Sequence, residues 1–137
     1  MQANVKFQIK HWEEKPFSEI DGGGKLTSGN FEMLYHGDLQ GEGVLAELKH
    51  YTPDGSAKIY GFERIVGRVG GKLGSFVLEH VGTFENGVIT SKRTVVADSG
   101  TGDLKGIRGQ IIFVSGAAKE FSMNFDYYFE DHAGGRG

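Results

Sequence analysis

The sequence predicts an all-β domain closed as an eight-stranded antiparallel up-and-down barrel. Three observations predict it. Apolar and polar residues alternate with period two along most of the chain, as half-buried strands require. Pro53-Asp54-Gly55, Gly70-Gly71 and Asn86-Gly87 fall between such runs, and turns of that kind join antiparallel neighbours. The 23 glycines among 137 residues punctuate the β-rich segments and form no low-complexity tract, which suits tight turns and bends. Left as an open sheet, strands of this length would expose two edges; closure removes both.

The first strand is marked by Val5, Phe7 and Ile9 alternating with Lys6, Gln8 and Lys10, and Trp12 closes it on the polar phase. Residues 13–24, with Pro16 and a run of three glycines, read as a long loop, either a lid or a crossing over a barrel end. A second strand covers 25–39, with Phe31, Met33 and Tyr35 on one phase. Gly37-Asp38 and the glycines at 41 and 43 then bend the chain into a third strand at 44–51. At the next turn Pro53 presets φ, and Asp54-Gly55 accepts a positive φ. Strands then cover 57–68, 74–84 and 88–97. Residues 98–109 hold too many glycines for a strand and should contain one helical turn near 103–105. The last two strands are 110–115 and 120–130, the final one with Phe121, Met123, Phe125, Tyr127 and Phe129 on a single phase. No repeat or internal boundary is visible, so residues 1–130 form one barrel domain and 131–137 a flexible polar tail.

Composition narrows the chemistry. There is no cysteine, hence no thiol nucleophile, thiolate metal site or disulfide. The net charge of −3 with mixed signs argues against nucleic acid as a partner. The chain starts on a strand, without an apolar leader or a membrane-length run, so a cytoplasmic protein that does not engage a membrane is expected.

The turns set the register, and the register sets the faces. With Gly70-Gly71 central, Ile65 opposes Phe76, Glu63 opposes Leu78 and Gly61 opposes His80. With Asn86-Gly87 central, Phe84 opposes Ile89, Gly82 opposes Ser91 and His80 opposes Arg93. With Asp54-Gly55 central, His50 opposes Ile59 and Ala46 opposes Glu63. The shared inward phase is then Val44, Ala46, Leu48, Ile65, Phe76, Leu78, Phe84, Ile89 and Val95, and the opposite face takes Glu47, Lys49, Lys58, Arg64, Arg68, Glu79 and Lys92. The lumen would hold Glu63, His80, Arg93, Ser91 and His50 among apolar neighbours such as Phe76. Opposed Cβ atoms lie roughly 5 Å apart, so Glu63, His80 and Arg93 can meet. Enclosed charges must pair. The trio is therefore either a Glu63–Arg93 pair with a satisfied histidine that holds the barrel together, or the polar anchor of a mostly apolar pocket.

Other features carry less. The histidines at 11, 36, 50 and 80 lack metal-ligand spacing, and no metal or cofactor is expected. Gly100, Gly102, Gly106 and Gly109 lie outside any βαβ context, so they read as tight turns and close backbone packing at a rim and not as a dinucleotide fingerprint. Ser75, Ser91 and Ser99 lack a nucleophile elbow. Tyr51, Tyr60 and Phe62 fall on the outward phase, where an aromatic patch points to a homo-oligomer, a dimer or trimer.

The run from Gly74 to Phe84, the preceding Phe62-Glu63-Arg64, and the glycine-punctuated run from Ser99 to Gly109 with Leu104, Ile107 and Arg108 resemble a bacterial family, the domain of unknown function 3224. The resemblance covers about residues 3 to 128, including Lys25-Leu26-Thr27 and Gly41-Glu42-Gly43. It implies a calycin-like barrel of the kind found in plant allene oxide cyclase. The cyclase likeness rests on the glycine-rich turn at 106–110 and the aromatic last strand; Arg108 stands where a cyclase aromatic would be, and no catalytic residue of the cyclase carries over. Fold transfers and activity does not. Three functions are compatible with these features: a small-ligand barrel anchored by Arg93, His80 and Glu63; a cyclase or isomerase in which Glu63 or His80 moves a proton or steadies a cation; or a filled structural barrel acting through its surface. Lumen volume separates the third from the others.

Overall fold

The computed structural model describes residues 1–115 and 121–130, with no helix among them. The strands are β1 (Gln2–Ile20), β2 (Gly24–Gly37), β3 (Leu39–Tyr51), β4 (Ala57–Val69), β5 (Lys72–Glu85), β6 (Val88–Val95), β7 (Thr101–Gly102), β8 (Ile107–Val114) and β9 (Phe121–Phe129). Each of β1 to β6 pairs antiparallel with its sequence neighbour, β6 continues to β8 and β9, and β1–β9 closes the ring. The two-residue β7 adds to β5 outside this meander, at Gly74 and Ser75. The result is a closed eight-stranded antiparallel barrel with one extra strand. No described helix is long and apolar enough to cross a membrane. Glu120 and the tail at 131–137 lie outside the described residues.

Two of the three hairpins adopt the expected register. Gly70 and Gly71 take φ of 56° and 83°, Asn86 and Gly87 take 52° and 77°, and the pairs Gly61–His80, Glu63–Leu78 and His80–Arg93 are formed. These turns are of the primed type, whose twist matches that of the flanking strands.

The third hairpin is one residue out of step with expectation. Tyr51 pairs with Ala57, leaving a five-residue loop. Asp54 closes it: its Oδ1 accepts from Thr52 Oγ1 at 2.5 Å and from the Ser56 amide at 2.9 Å, and the Thr52 amide donates to the Ser56 carbonyl at 2.8 Å. The side chain of Asp54, not the Asp-Gly dipeptide, is what sets the turn. Because side chains alternate with period two, this slip turns all of β3 over. Val44, Ala46, Leu48 and His50 point outward, and Leu45, Glu47, Lys49 and Tyr51 take the inner phase.

A second departure concerns residues 13–24. They continue β1 to Ile20, around a tight turn and into β2. Bulges at Lys10 and Phe17 interrupt the β1–β2 ladder. The extra residue at Lys10 reverses the inward–outward phase of the strand beyond it. Trp12 therefore opposes Phe31 and stacks on it, with ring centroids 6.1 Å apart, while Glu14 reaches the inner phase. Residues 41–43 are likewise strand, and the bend sits at Asp38. The segment expected to hold a helical turn forms a hydrogen-bonded turn, with Leu104 donating to the Thr101 carbonyl at 3.0 Å.

The lumen is solid below and open above. At the end marked by Asp38, Gly70 and Gly106, fully enclosed Leu39, Ile65, Leu104 and Ile107 pack with Phe76 and Phe125, whose rings stack 5.7 Å apart. Eight strands enclose an interior that side chains can just fill. At the other end, marked by the turns at 21–23, 52–56 and 86–87, the inner wall leaves a cavity.

Candidate functional site

Five polar side chains, Glu63, Tyr35, His80, Arg93 and Ser91, are buried at mid-height. Glu63 is fully enclosed on β4. Its Oε2 accepts a short hydrogen bond from the Tyr35 hydroxyl on β2, and its Oε1 lies 2.8 Å from Nε2 of His80 on β5. Arg93 on β6 is 6% exposed. It donates from Nε to Ser91 Oγ at 3.1 Å and from Nη1 to the thioether of Met123 at 3.7 Å. Its guanidinium lies 4.6 Å from the ring centre of Phe113 and 5.5 Å from that of Phe7, a cation–π arrangement.

The Glu63–Arg93 ion pair, one of the two arrangements the sequence leaves open, is not formed: among the described residues Glu63 is held by Tyr35 and His80, and Arg93 by Ser91, Met123 and two rings. Of the residues proposed from sequence, Glu63, His80, Arg93 and Ser91 are brought together. Phe76 is buried below them in the packed half, stacked on Phe125. His50 is exposed on the outer wall, in a shallow groove with Leu48, Tyr60 and Val81, because β3 is turned over.

Burial pushes the Tyr35 hydroxyl well above its ordinary pKa; the nearby charge of Glu63 and the hydrogen bond to it add to this, and Arg93 opposes it. Tyr35 is thus held as a donor. Its phase is legible in the sequence beside Phe31 and Met33, but its partner depends on the β2–β3 register. Room for the carboxylate comes from Gly43, where a Cβ would land on Oε2 of Glu63.

A cavity of about 90 Å³ opens above this cluster toward the mouth, lined by His80, Arg93, Ser91, Phe7, Phe113 and Phe121 among others. It is smaller than the few hundred Å³ of a drug-sized pocket. Among the described residues no enclosed side-chain nitrogen or oxygen lacks a partner. Nδ1 of His80 and Nη2 of Arg93 have no acceptor or donor among the described residues and so open onto the cavity. With Nε2–H donating to the Glu63 carboxylate, Nδ1 presents a lone pair there.

Higher at the mouth sits a second polar group that the sequence does not disclose. Glu14 accepts from Lys49 Nζ at 2.8 Å and from Thr27 Oγ1 and the Tyr51 hydroxyl, each at 2.9 Å; Lys49 also lies 3.3 Å from Glu47. It exists because the Lys10 bulge turns Glu14 inward and the five-residue loop turns Lys49 and Tyr51 inward. Tyr51 therefore does not belong to the outer patch. A larger depression, about 910 Å³ and wide open, lies on the outer wall with Asn4, Asp38 and Asp126. Among the described residues no cluster of three or more potential metal ligands is found.

The fold and cluster define a class: a closed small barrel whose solid base carries convergent polar groups beneath an open mouth. The chain belongs to the DUF3224 family, described as proteins of unknown function, whose family model matches residues 3–127. It is similar to a DUF3224 protein of unknown function from Shewanella oneidensis MR-1, solved by crystallography, with 27% identity, a TM-score of 0.82, and coverage of 96% of this chain and 98% of that one. No curated protein matches it.

Proposed function

We propose that the protein binds a small, partly apolar molecule in the mouth-side half of its lumen. The observation that carries this reading is the cavity whose aromatic wall converges on the cavity-facing atoms of Arg93 and His80. Arg93, His80 and Ser91 anchor the ligand, Glu63 and Tyr35 orient His80 from beneath, and Phe76 supports the base. Thermal-shift screening of the purified protein with small aliphatic and aromatic compounds should yield a stabiliser. Its effect should vanish in Ser91→Phe, which fills the cavity. A stabiliser indifferent to Ser91→Phe would place binding elsewhere.

A second reading rests on His80 alone. An imidazole held by a carboxylate at one nitrogen and free at the other is the arrangement of a general base, as a cyclase or isomerase would need. The cavity ligand, once identified, would be tested for proton exchange catalysed by the wild type and not by His80→Gln.

We also propose self-association through the outer wall of β3 to β5. There Leu48, Tyr60 and Val81 oppose one another across three strands, with Phe62 beside them, an apolar patch of the kind subunits cover. Light scattering on Tyr60→Lys should give a smaller species than the wild type. A cytoplasmic location belongs to the same reading and is tested by cell fractionation.

A further inference from the structure

We infer that the molecule held in the cavity is a small monocarboxylate with an apolar body, and that Arg93 is its anchor. This rests on the ligand-binding reading above and names the chemistry of the ligand. A guanidinium offers five N–H donors in a planar fork. In Arg93 one meets the hydroxyl of Ser91 and another the weak acceptor sulfur of Met123. No carboxylate of the described residues pairs with it. Buried charges are ordinarily paired, because an uncompensated one is expensive to enclose. Two ring faces offset part of that expense, but they supply no acceptor for Nη2.

Glu63 does not fill the role. Both of its oxygens are engaged, by Tyr35 and by His80, on the far side of the imidazole from the cavity. A ligand carboxylate would complete the fork with a charge-assisted hydrogen bond. Its first carbons would rest on Phe7, Phe113 and Phe121, and the remainder would lead toward the mouth. The volume of about 90 Å³ limits the enclosed part, since a cavity of about 150 Å³ is what admits benzene in an engineered core. At the mouth, two carboxylates, Glu14 and Glu47, share one ammonium, Lys49. Lys49 is thus already engaged twice and offers no partner to a second ligand carboxylate, so the single unfilled fork at Arg93 restricts the class to monocarboxylates.

The test is calorimetric titration of the full chain with butyrate and hexanoate, and with butyramide and hexanamide as neutral isosteres. The acids should bind about tenfold or more tightly than the amides, the size of one charge-assisted hydrogen bond. Arg93→Met should abolish the difference and Arg93→Lys should keep part of it. In the wild type, the Nε–H resonance of Arg93 should move on adding butyrate, a readout that stands even if Arg93→Met does not fold. Amides binding as well as acids would overturn the carboxylate assignment and leave the cavity reading standing. Acids binding without moving the Arg93 resonance would overturn Arg93 as anchor. Failure of all four probes to bind would overturn both readings.

Discussion

Gly43 lies directly against the carboxylate of Glu63. A Cβ at residue 43 would fall on Oε2 and stand 2.9 Å from Cε2 of Tyr35. The bare backbone of β3 is what lets an acidic side chain lie inside the barrel. Gly43→Ala should therefore lower stability by about 1–3 kcal/mol, as overpacking of a filled interior does. The urea midpoint is the measurement, and an unchanged midpoint would show that Glu63 has somewhere else to go.

Tyr35 and Glu63 should be energetically coupled. Tyr35→Phe removes a donor from an enclosed carboxylate and should destabilise by about 1–3 kcal/mol. Glu63→Gln puts a donor where Tyr35 or His80 needs an acceptor, with a similar loss. Because the two share that hydrogen bond, the double mutant will fall short of the sum by about 0.5 kcal/mol or more. Strict additivity would separate the two residues.

The overturned register of β3 has its own test. His50→Ala, on the exposed wall, should change stability by no more than about 0.5 kcal/mol. His80→Ala removes an enclosed ring and strips Oε1 of Glu63 of its partner, which should cost about 3 kcal/mol or more. Equal losses from the two variants would return His50 to the lumen.

Acid should weaken the mouth. Burial raises the Glu14 pKa, but hydrogen bonds from Lys49, Thr27 and Tyr51 outweigh it and hold the group below its ordinary 4.5. A depressed carboxylate contributes stability that is present above the unfolded pKa and lost as pH falls through the folded one. The gap in denaturant midpoint between wild type and Glu14→Gln should thus narrow on acidification below 4.5. A gap independent of pH would sink the linkage.

Alkali should act through Tyr35, whose folded pKa lies well above 10.0, through burial first and the Glu63 charge second. Its stabilisation is complete below 10.0 and is lost as pH rises through the folded value. Tyrosinate absorbance from Tyr35 should appear only with unfolding, so the native titration curves of wild type and Tyr35→Phe should coincide.

How much of this is legible in the sequence depends on where local chemistry decides the geometry. The Gly70-Gly71 and Asn86-Gly87 turns have one good conformation each, so they carry Glu63, His80 and Arg93 to the same interior. Asp54 misleads because its side chain, not its backbone, closes the loop. The Lys10 bulge leaves no mark in the alternation, since Trp12 and Glu14 look like a polar continuation of the strand. Each of these features moves residues by one step, and one step is enough to exchange inside for outside. That is why the alternation conceals Lys49 and Glu14 and places His50 wrongly in the lumen. The fate of Arg93 is beyond the reach of local pattern for another reason: the choice between Glu63 and the rings of Phe7 and Phe113 is made by strands far apart in the chain.

The packing of Leu39, Ile65, Leu104 and Ile107 at one end has a kinetic consequence. The interior is a cup and not a tube, so for a molecule held in the proposed site arrival and departure would share a single doorway. It would leave past Phe31, on which Trp12 stacks, before another could take its place. Exchange would then be strictly sequential, with a dwell time set at that threshold, and the sole tryptophan stands where its fluorescence would register each passage.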